Sequence, residues 1–145
     1  MITIREASPD DFYELHAIRV AVTENILPDP DMITAADYEL YISKKGKGWV
    51  YEDNGQVLGF SIVDLEGKSV WALFVKPGYE GIKIGKSLHH AMLEWYFTQT
   101  KDTIWLSTAP KSRAEKFYRM QGWKETGVER NGDIRFELTE ENWIR

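Results

Sequence analysis

The sequence predicts an α+β fold of mixed α/β character, in which about four helices cover a central, twisted, mixed sheet of six to seven strands. Apolar residues repeat at spacings of three and four in several segments, which is typical of amphipathic helices, and short apolar runs between turn residues indicate strands. One long helical pattern separates two buried strands, which favours a parallel crossover. The chain has 145 residues, of which 43% are hydrophobic, and this is enough to bury a core.

The first strand and the first helix come from the N-terminal segment. Ile2 and Ile4 alternate with polar residues, which indicates a short strand. Ser8 can then cap a helix that has Pro9 in its first position. We expect this helix to end before Pro28, because proline cannot continue a helix. Its predicted buried face consists of Phe12, Leu15, Ile18 and Val22.

A second helix and a three-stranded meander follow. Thr34 can cap a helix over residues 35–43, and the glycines within residues 44–48 end it. The Asn54-Gly55 pair predicts a tight hairpin between the first two strands of the meander. The three predicted strands cover residues 49–51, 56–63 and 70–75.

The C-terminal half continues with a long helix over residues 84–99 and a buried strand over 103–107. Because a helix joins this strand to the strand at 70–75, we expect the two strands to be parallel, with a right-handed crossover. The predicted elements that remain are a helix over 111–121 closed by Gly122 and a hairpin formed by 123–128 and 134–138.

Composition excludes several classes of function. The formal net charge is -5 and the isoelectric point about 5.2, so we expect binding neither to nucleic acid nor to an anionic membrane. The absence of cysteine excludes disulfides, thiolate metal sites and cysteine nucleophiles. The three histidines have no further ligands at metal spacing, so no metal site is predicted. No signal peptide or membrane span is apparent, and a cytoplasmic location is predicted.

The glycine-bearing turn between the strand at 70–75 and the helix at 84–99 predicts an anion site. A strand, a turn and a helix in this order present free backbone N–H groups and the positive end of the helix dipole. The amides of residues 81–86 can therefore hold a phosphate group. A P-loop is a second interpretation, but it requires four residues before the Gly-Lys-Ser triplet, and only three separate Gly81 from Gly85.

Two motifs identify a family resemblance that covers essentially all 145 residues. The first is Val-x-Pro-x-Tyr-x-Gly-x-x-Ile-Gly-Lys at 75–86, and the second is Phe-Tyr-x-x-x-Gly-Trp at 117–123. Together with the order of elements, they resemble the GNAT superfamily of acetyl-CoA-dependent N-acetyltransferases. The resemblance implies a single N-acetyltransferase domain over 1–145 with the GNAT-type acyl-CoA N-acyltransferase fold.

The resemblance also implies an activity. An acyltransferase of this family moves the acetyl group of acetyl-CoA, its cosubstrate, to a primary amine by direct transfer in a ternary complex. A domain that binds acyl-CoA as a sensor without turnover is the alternative, because two of the three positions of the family's phosphate-binding turn depart from its pattern. Glu80 stands where the family has Gln or Arg, and Lys83 stands where it has glycine.

The residues implied to bind coenzyme A lie in the turn, in the strand before it and in the last helix. The strand offers backbone groups to the pantetheine arm and an N–H group to the thioester carbonyl. Lys111 stands where the family has an asparagine, and it can instead reach the phosphates or remain a solvated charge. The residues are Phe74, Val75, Gly81, Ile82, Lys83, Ile84, Gly85, Lys86, Ser87, Lys111 and Tyr118.

Tyr118 matches the tyrosine that protonates the leaving thiolate in the family, although it can also be a packing residue. A phenol with a pKa of about 10 and a thiol with a pKa of about 8.5 can exchange a proton productively. Glu24 is the predicted general base, because the loop between the first two helices borders the acceptor site in relatives. Asp37 and a water chain are alternatives.

The acceptor is predicted only as a class, a small-molecule or peptide amine. The acidic surface favours a cationic acceptor, such as a polyamine, an aminoglycoside-like amine or a lysine side chain. The resemblance and the aromatic content make a homodimer plausible. Residues that can line an aromatic acceptor pocket are Tyr38, Tyr41, Trp49, Trp71 and Phe74.

Overall fold

A computed structural model describes residues 1–81 and 83–143 of the chain. A seven-stranded sheet, in the order β1-β2-β3-β4-β5-β7-β6, forms its centre, as the sequence predicts. The strands are β1 Ile2–Glu6, β2 Gly46–Asp53, β3 Gln56–Asp64, β4 Ser69–Val75, β5 Ile104–Thr108, β6 Lys124–Val128 and β7 Ile134–Leu138. The helices are α1 Phe12–Ala21, α2 Ala35–Glu39, α3 Ile84–Gln99 and α4 Arg113–Met120.

The sheet is antiparallel except at one position. Strands β1 to β4 form an antiparallel run, and the β2–β3 turn carries Asn54 and Gly55 at φ angles of 51° and 80°, which asparagine and glycine tolerate. Strand β4 then pairs with β5 in parallel through the α3 crossover. Both the predicted hairpin and the predicted parallel crossover are confirmed.

Helices cover both faces of the sheet. Leu15 and Ile18 of α1 and Tyr38 of α2 pack in a core with Phe60 of β3. On the opposite face, α3 and α4 pack in a second core, which includes the buried side chain of Tyr118. The two cores place one pair of helices on each side of β3 and β4.

Capping side chains explain where the helices begin. A short 3-10 turn over Pro9–Asp11 precedes α1, and the backbone N–H of Ser8 donates to the carboxylate of Asp11. Thr34 caps α2, and Ser112 caps α4 by accepting from the N–H of Glu115. The predicted start of α4 at Lys111 is wrong by two residues, because Lys111 has a φ of 60° that excludes it from the helix.

One further expectation, about the chain after α2, needs correction. The chain after α2 widens into a π-helical turn over Leu40–Lys45, and β2 begins directly at Gly46, so residues 44–48 do not form a separate break. The side chains of Ile2 and Ile4 lie on the edge strand β1 and are 58% and 40% exposed, although both belong to a strand as predicted.

Candidate active site

The sheet opens between β4 and β5 at their carboxyl ends. Among the described residues the two strands share one cross-strand pair, Ser69 with Trp105, although β4 continues to Val75 and β5 to Thr108. The other edge of β4 pairs with β3 along its length, with one bulge at Trp71, and Phe74 lies opposite Phe60. The edge of β4 that faces β5 therefore has backbone groups available to a ligand between the strands. We call this gap the β4–β5 split.

The first turn of α3 lies next to the carboxyl end of β4. Within residues 1–81 and 83–143, the backbone N–H groups of Ile84 and Gly85 have no hydrogen-bond acceptor, and no side chain caps the helix. The 16 residues of α3 direct the positive end of their dipole toward this turn. Free N–H groups at a helix N-terminus are suited to bind a phosphate or pyrophosphate.

Gly85 leaves space at this turn. A Cβ atom built on Gly85 would lie 3.7 Å from Val75 Cγ2 and 4.0 Å from Phe117 Cε1, which are ordinary contact distances. Packing within the described chain therefore does not require glycine at this position. A ligand that approaches the backbone closely would supply such a requirement.

The two residues that depart from the family pattern have distinct conformations. Lys83 has φ 69° and ψ 13°, the left-handed conformation that is unfavourable for a residue with a side chain. Glu80 folds back on its own turn, and its Oε1 accepts a hydrogen bond of 2.8 Å from the N–H of Gly78. Its own backbone N–H, followed by that of Gly78, lowers the pKa of the Glu80 carboxyl, so the carboxylate is satisfied within the turn.

The remaining predicted residues of the turn differ in what they can offer. Gly81 and the side chain of Lys86 are exposed, whereas the side chain of Ile84 is buried and leaves only its backbone at the turn. The N–H and the hydroxyl of Ser87 both donate to the carbonyl of Lys83, each at 3.0 Å, so the amide of Ser87 is used within the helix. Ile82, also predicted to bind coenzyme A, lies outside the described residues.

Helix α4 places Tyr118 on the same face of the sheet as α3. The Tyr118 side chain is 5% exposed, and its ring contacts Phe117, Trp123 and Phe136 at centroid distances of 5.3, 5.5 and 6.5 Å. No hydrogen-bond partner of its hydroxyl is found within residues 1–81 and 83–143. Burial raises the pKa of the Tyr118 phenol, which therefore keeps its proton.

His89 lies behind this helix. Its side chain is 3% exposed and its Nε2 accepts a hydrogen bond of 3.0 Å from Trp123 Nε1. Burial, with a smaller effect of His90, lowers the pKa of His89 to about 3, so the imidazole is neutral. His89 thus supports the packing around α4.

Glu24 lies at the N-terminus of α4. Its Oε1 accepts a hydrogen bond of 3.0 Å from the backbone N–H of Arg113. An open groove of about 630 Å³ runs along the exposed side of α4 and includes Glu24, Lys111 and Arg113. Of the cationic side chains in this groove, Arg113 also lowers the pKa of the Glu80 carboxyl, as the smallest of the effects on it.

The last turn of α1 and the loop after it each contain a residue that the sequence interpretation missed, Arg19 and Asn25. Asn25 joins this loop to the end of β5: its Nδ2 donates to Thr108 Oγ1 at 3.0 Å, and its Oδ1 accepts from Ala109 N–H at 2.8 Å. The carbonyl of Asn25 accepts a hydrogen bond of 3.0 Å from Arg19 Nη1, and the Arg19 guanidinium lies 4.3 Å from the centre of the Phe74 ring. The one signal in the sequence that could have indicated a role for Arg19 is its position at the end of the first helix, next to the loop predicted to border the acceptor site.

Four of the five aromatic residues predicted for an acceptor pocket lie on the α1 and α2 face. Tyr41 stacks on Trp71 at 4.4 Å, and Tyr38 contacts Trp71 at 5.4 Å. Phe74 packs on the same side. Trp49 is a correction, because it contacts Trp95 of α3 on the opposite face of the sheet.

Two polar residues of this face are engaged in the structure. Asp37 Oδ2 accepts hydrogen bonds from the backbone and the hydroxyl of Thr34, so Asp37 stabilises the start of α2. His16 connects the hydroxyl of Tyr38 at 3.1 Å with the carbonyl of Pro30 at 2.8 Å.

Over the described part of the chain, no group of three or more potential ligands could hold a metal ion, and no helix could cross a membrane.

Comparisons with known proteins agree with this geometry. A family model described as "Acetyltransferase (GNAT) family" matches residues 9–123. A search of curated proteins found no significant match to the sequence.

Solved structures of similar fold include several acetyltransferases. An acetyltransferase of the GNAT family from Staphylococcus aureus Mu50 has 23% identity and a TM-score of 0.80, with 96% of this chain and 99% of that chain covered. PaiA N-acetyltransferase from Thermoplasma acidophilum, solved in complex with coenzyme A, has 16% identity, a TM-score of 0.80 and the same coverages. YncA, a putative acetyltransferase from Salmonella typhimurium solved with acetyl-CoA, has 15% identity and a TM-score of 0.78, with 96% and 94% covered. The predicted acyltransferase fold is thereby confirmed.

Proposed function

The chain belongs to the GNAT family of acetyltransferases, and on this premise we propose that it transfers the acetyl group of acetyl-CoA to a primary amine, directly, in a ternary complex. The observation that carries the proposal is the first turn of α3. Its N–H groups at Ile84 and Gly85 have no acceptor within the described chain, and they lie at the carboxyl end of β4, beside the β4–β5 split. A ligand that has both a pyrophosphate and an extended arm fits these two features together.

The residues present fit acetyl-CoA. The amides of Ile84 and Gly85 would hold the pyrophosphate, and the side chains of Lys83 and Lys86 would add positive charge. The open edge of β4 near Phe74 and Val75 would pair with the amides of the pantetheine arm. When bound, acetyl-CoA supplies a thioester, and transfer of its acetyl group to a neutral amine would form an amide and release CoA as a thiol.

Tyr118 is the proposed proton donor for the leaving thiolate. Burial raises the pKa of its phenol, so the hydroxyl carries its proton over the neutral pH range, although it is a weaker acid than an exposed tyrosine. We expect Tyr118→Phe to lower turnover by about tenfold or more, because the variant lacks the hydroxyl that donates the proton. The affinity for acetyl-CoA should be unchanged, because the ring is kept. An unchanged turnover in a folded variant would leave Tyr118 as a packing residue.

Glu24 is the proposed general base, and its hydrogen bond to Arg113 allows a matched test. Glu24→Gln retains an oxygen that can accept from the N–H of Arg113 but cannot take a proton, whereas Glu24→Ala loses both functions. If Glu24 is the base, both variants lose turnover at neutral pH. If Glu24 only fixes the loop, Glu24→Gln keeps the wild-type rate and Glu24→Ala alone is impaired. A water chain remains the alternative route for the proton.

Thermal unfolding with ligands tests the function as a whole. We expect acetyl-CoA and CoA to raise the unfolding temperature, and ATP with Mg²⁺ to have no effect. Thiol release with a library of amines then separates an enzyme from a sensor. Stabilisation by acetyl-CoA without thiol release in the presence of any amine would favour the sensor. Stabilisation by ATP with Mg²⁺ alone would overturn the acetyltransferase proposal.

A homodimer and a cytoplasmic location stay predictions.

A further inference from the structure

Arg19 is a half-buried cation beside the β4–β5 split. It belongs to the last turn of α1, and its guanidinium lies 4.3 Å from the centre of the Phe74 ring, near the end of β4. No carboxylate lies within 4 Å of it among residues 1–81 and 83–143, and the one hydrogen bond that it forms there is the donation to the Asn25 carbonyl. Arg5, Arg119 and Arg135, in contrast, are paired with the carboxylates of Asp11, Glu125 and Glu137.

The guanidinium is held in place from both sides of the split. Phe74 belongs to β4, and Asn25 is bonded to Thr108 and Ala109 at the end of β5. Arg19 is thus positioned relative to both strands before any ligand binds. A guanidinium has five N–H donors in a planar fork, and one of them is occupied here, so donors remain for a further acceptor. Partial burial lowers the pKa of Arg19, which indicates that the charge has lost part of its hydration.

The position of Arg19 relates it to the acceptor and not to the cosubstrate. Arg19, Phe74 and Tyr38 lie on the α1 and α2 face, whereas the first turn of α3 and Tyr118 lie on the opposite face. A cosubstrate whose pyrophosphate binds at α3 therefore leaves the α1 and α2 face to the amine. The aromatic rings of Tyr38 and Trp71 on this face can contact an apolar part of the acceptor.

We propose that Arg19 recognises a carboxylate of the acceptor, so that the acceptor is an amine with a carboxylate close to its nitrogen, as in an α-amino acid. A planar guanidinium fork pairs with a carboxylate through two parallel hydrogen bonds. In an α-amino acid one carbon atom separates the carboxylate from the amine, so a carboxylate bound at Arg19 holds the amine near Phe74 and the split. This local charge selects a zwitterionic acceptor and not the purely cationic acceptor that the acidic surface suggests. The inference rests on the proposed acetyltransferase function.

Matched acceptors test the proposal. Thiol release from acetyl-CoA is measured with a panel of α-amino acids and with the amide of each, which lacks the carboxylate but keeps the amine and the side chain. We expect kcat/KM to be higher for the acids by at least about tenfold, because the amide leaves the donors of Arg19 without a charged acceptor. Phenylalanine is paired in addition with phenethylamine, its decarboxylated analogue.

Variants of Arg19 test whether this residue causes the preference for acceptors with a carboxylate. In Arg19→Gln, the ratio of kcat/KM for the acid to kcat/KM for its amide should fall to about one. The cause should be an increase in the KM of the acid, with the KM of acetyl-CoA unchanged. Arg19→Lys, which keeps the charge but not the planar fork, should retain part of the preference. Lys124→Gln is the control for the loss of one positive charge, because Lys124 is exposed at the start of β6. If Arg19→Gln does not fold, the test is made with Arg19→Lys. An unchanged preference for the acids over the amides in Arg19→Lys would overturn the assignment of carboxylate recognition to Arg19.

A readout without turnover separates this inference from the proposed function. In the presence of CoA, which carries no acetyl group, the preferred amino acid should raise the unfolding temperature of the wild type but not of Arg19→Gln. Suppose that acetyl-CoA stabilises the protein and that amides or simple amines are acetylated with the same kcat/KM as the acids. The proposed role of Arg19 is then overturned, whereas the proposed acetyltransferase function is supported. If neither CoA nor acetyl-CoA stabilises the protein and no thiol is released, the proposed function fails, and this inference fails with it.

Discussion

Lys83 has a backbone conformation that its residue type disfavours. A left-handed φ costs a residue with a side chain about 1–2 kcal/mol, and glycine or asparagine adopts it more easily. Relatives have glycine at this position of the turn by the family pattern. The lysine at this position is explained if its charge contributes to binding of the pyrophosphate.

Substitution of Lys83 separates the backbone cost from the charge. We expect Lys83→Gly to raise the free energy of unfolding by about 1 kcal/mol, measured by urea denaturation, because the strain at φ 69° is removed. Lys83→Asn removes the charge and keeps a residue that tolerates the left-handed region. Both variants should bind CoA more weakly in calorimetry, and the difference from the wild type should shrink at high salt. Equal CoA affinities in all three proteins would show that the Lys83 charge has no role in binding.

Gly85 allows a prediction in which stability and binding change in opposite directions. Alanine is favoured over glycine in a helix by about 1 kcal/mol, and its Cβ would meet only ordinary contacts with Val75 and Phe117. Gly85→Ala should therefore raise the unfolding temperature and weaken CoA binding, because the methyl group occupies the space next to the free amides. Glu94→Ala, on an exposed position of the same helix, is the control and should leave CoA affinity unchanged. A Gly85→Ala protein with normal CoA affinity would contradict the proposed position of the pyrophosphate.

At the scale of elements, α3 joins the turn to the core through His89. The folded state keeps this imidazole neutral with a pKa of about 3, whereas the unfolded chain protonates it near its ordinary pKa of 6.5. Between these two values the unfolded state binds more protons, so stability falls as the pH falls, by at most about 1.4 kcal/mol per pH unit from this group. Above pH 6.5 His89 contributes no pH dependence.

The variant His89→Gln tests this dependence. Glutamine cannot titrate, but its side-chain oxygen can accept the hydrogen bond from Trp123 Nε1. In urea denaturation between pH 7 and pH 4.5, the wild type should lose stability more steeply than His89→Gln, although the variant starts from a lower value because the core is repacked. Parallel curves would mean that His89 takes up its proton in the folded protein as well.

The elements differ in how far the sequence predicted them. The spacing of Ile84, Leu88 and Met92 predicted the bounds of α3, and the Asn54-Gly55 pair predicted its hairpin, because local chemistry determines both. The sequence predicted a strand over residues 49–51, but it could not predict that Trp49 faces α3, since long-range packing decides this. Local patterns also could not show that α4 begins after a left-handed Lys111.

At the scale of the whole molecule, the candidate site depends on contacts between distant parts of the chain. The sequence predicted the turn and Tyr118 as separate motifs, and the sheet order brings the elements that contain them to one face. Asn25 and Arg19 were missed because the hydrogen bonds of Asn25 to Thr108 and Ala109 join residues 83 and 84 positions apart. No local pattern predicts a contact of this separation.

The open edge of β4 allows a prediction about where a cosubstrate changes the motion of the molecule. Backbone N–H groups without a partner exchange hydrogen with solvent rapidly, and a bound ligand that accepts from them slows the exchange. We expect acetyl-CoA to slow amide exchange in β4, in the first turn of α3 and at the end of β5, measured by mass spectrometry on peptides. Strand β2 should serve as the internal control, because β1 and β3 pair with it on both sides. Protection of β2 equal to that of β4 would indicate general stabilisation, and protection that is absent from β4 and α3 would show that the cosubstrate binds elsewhere.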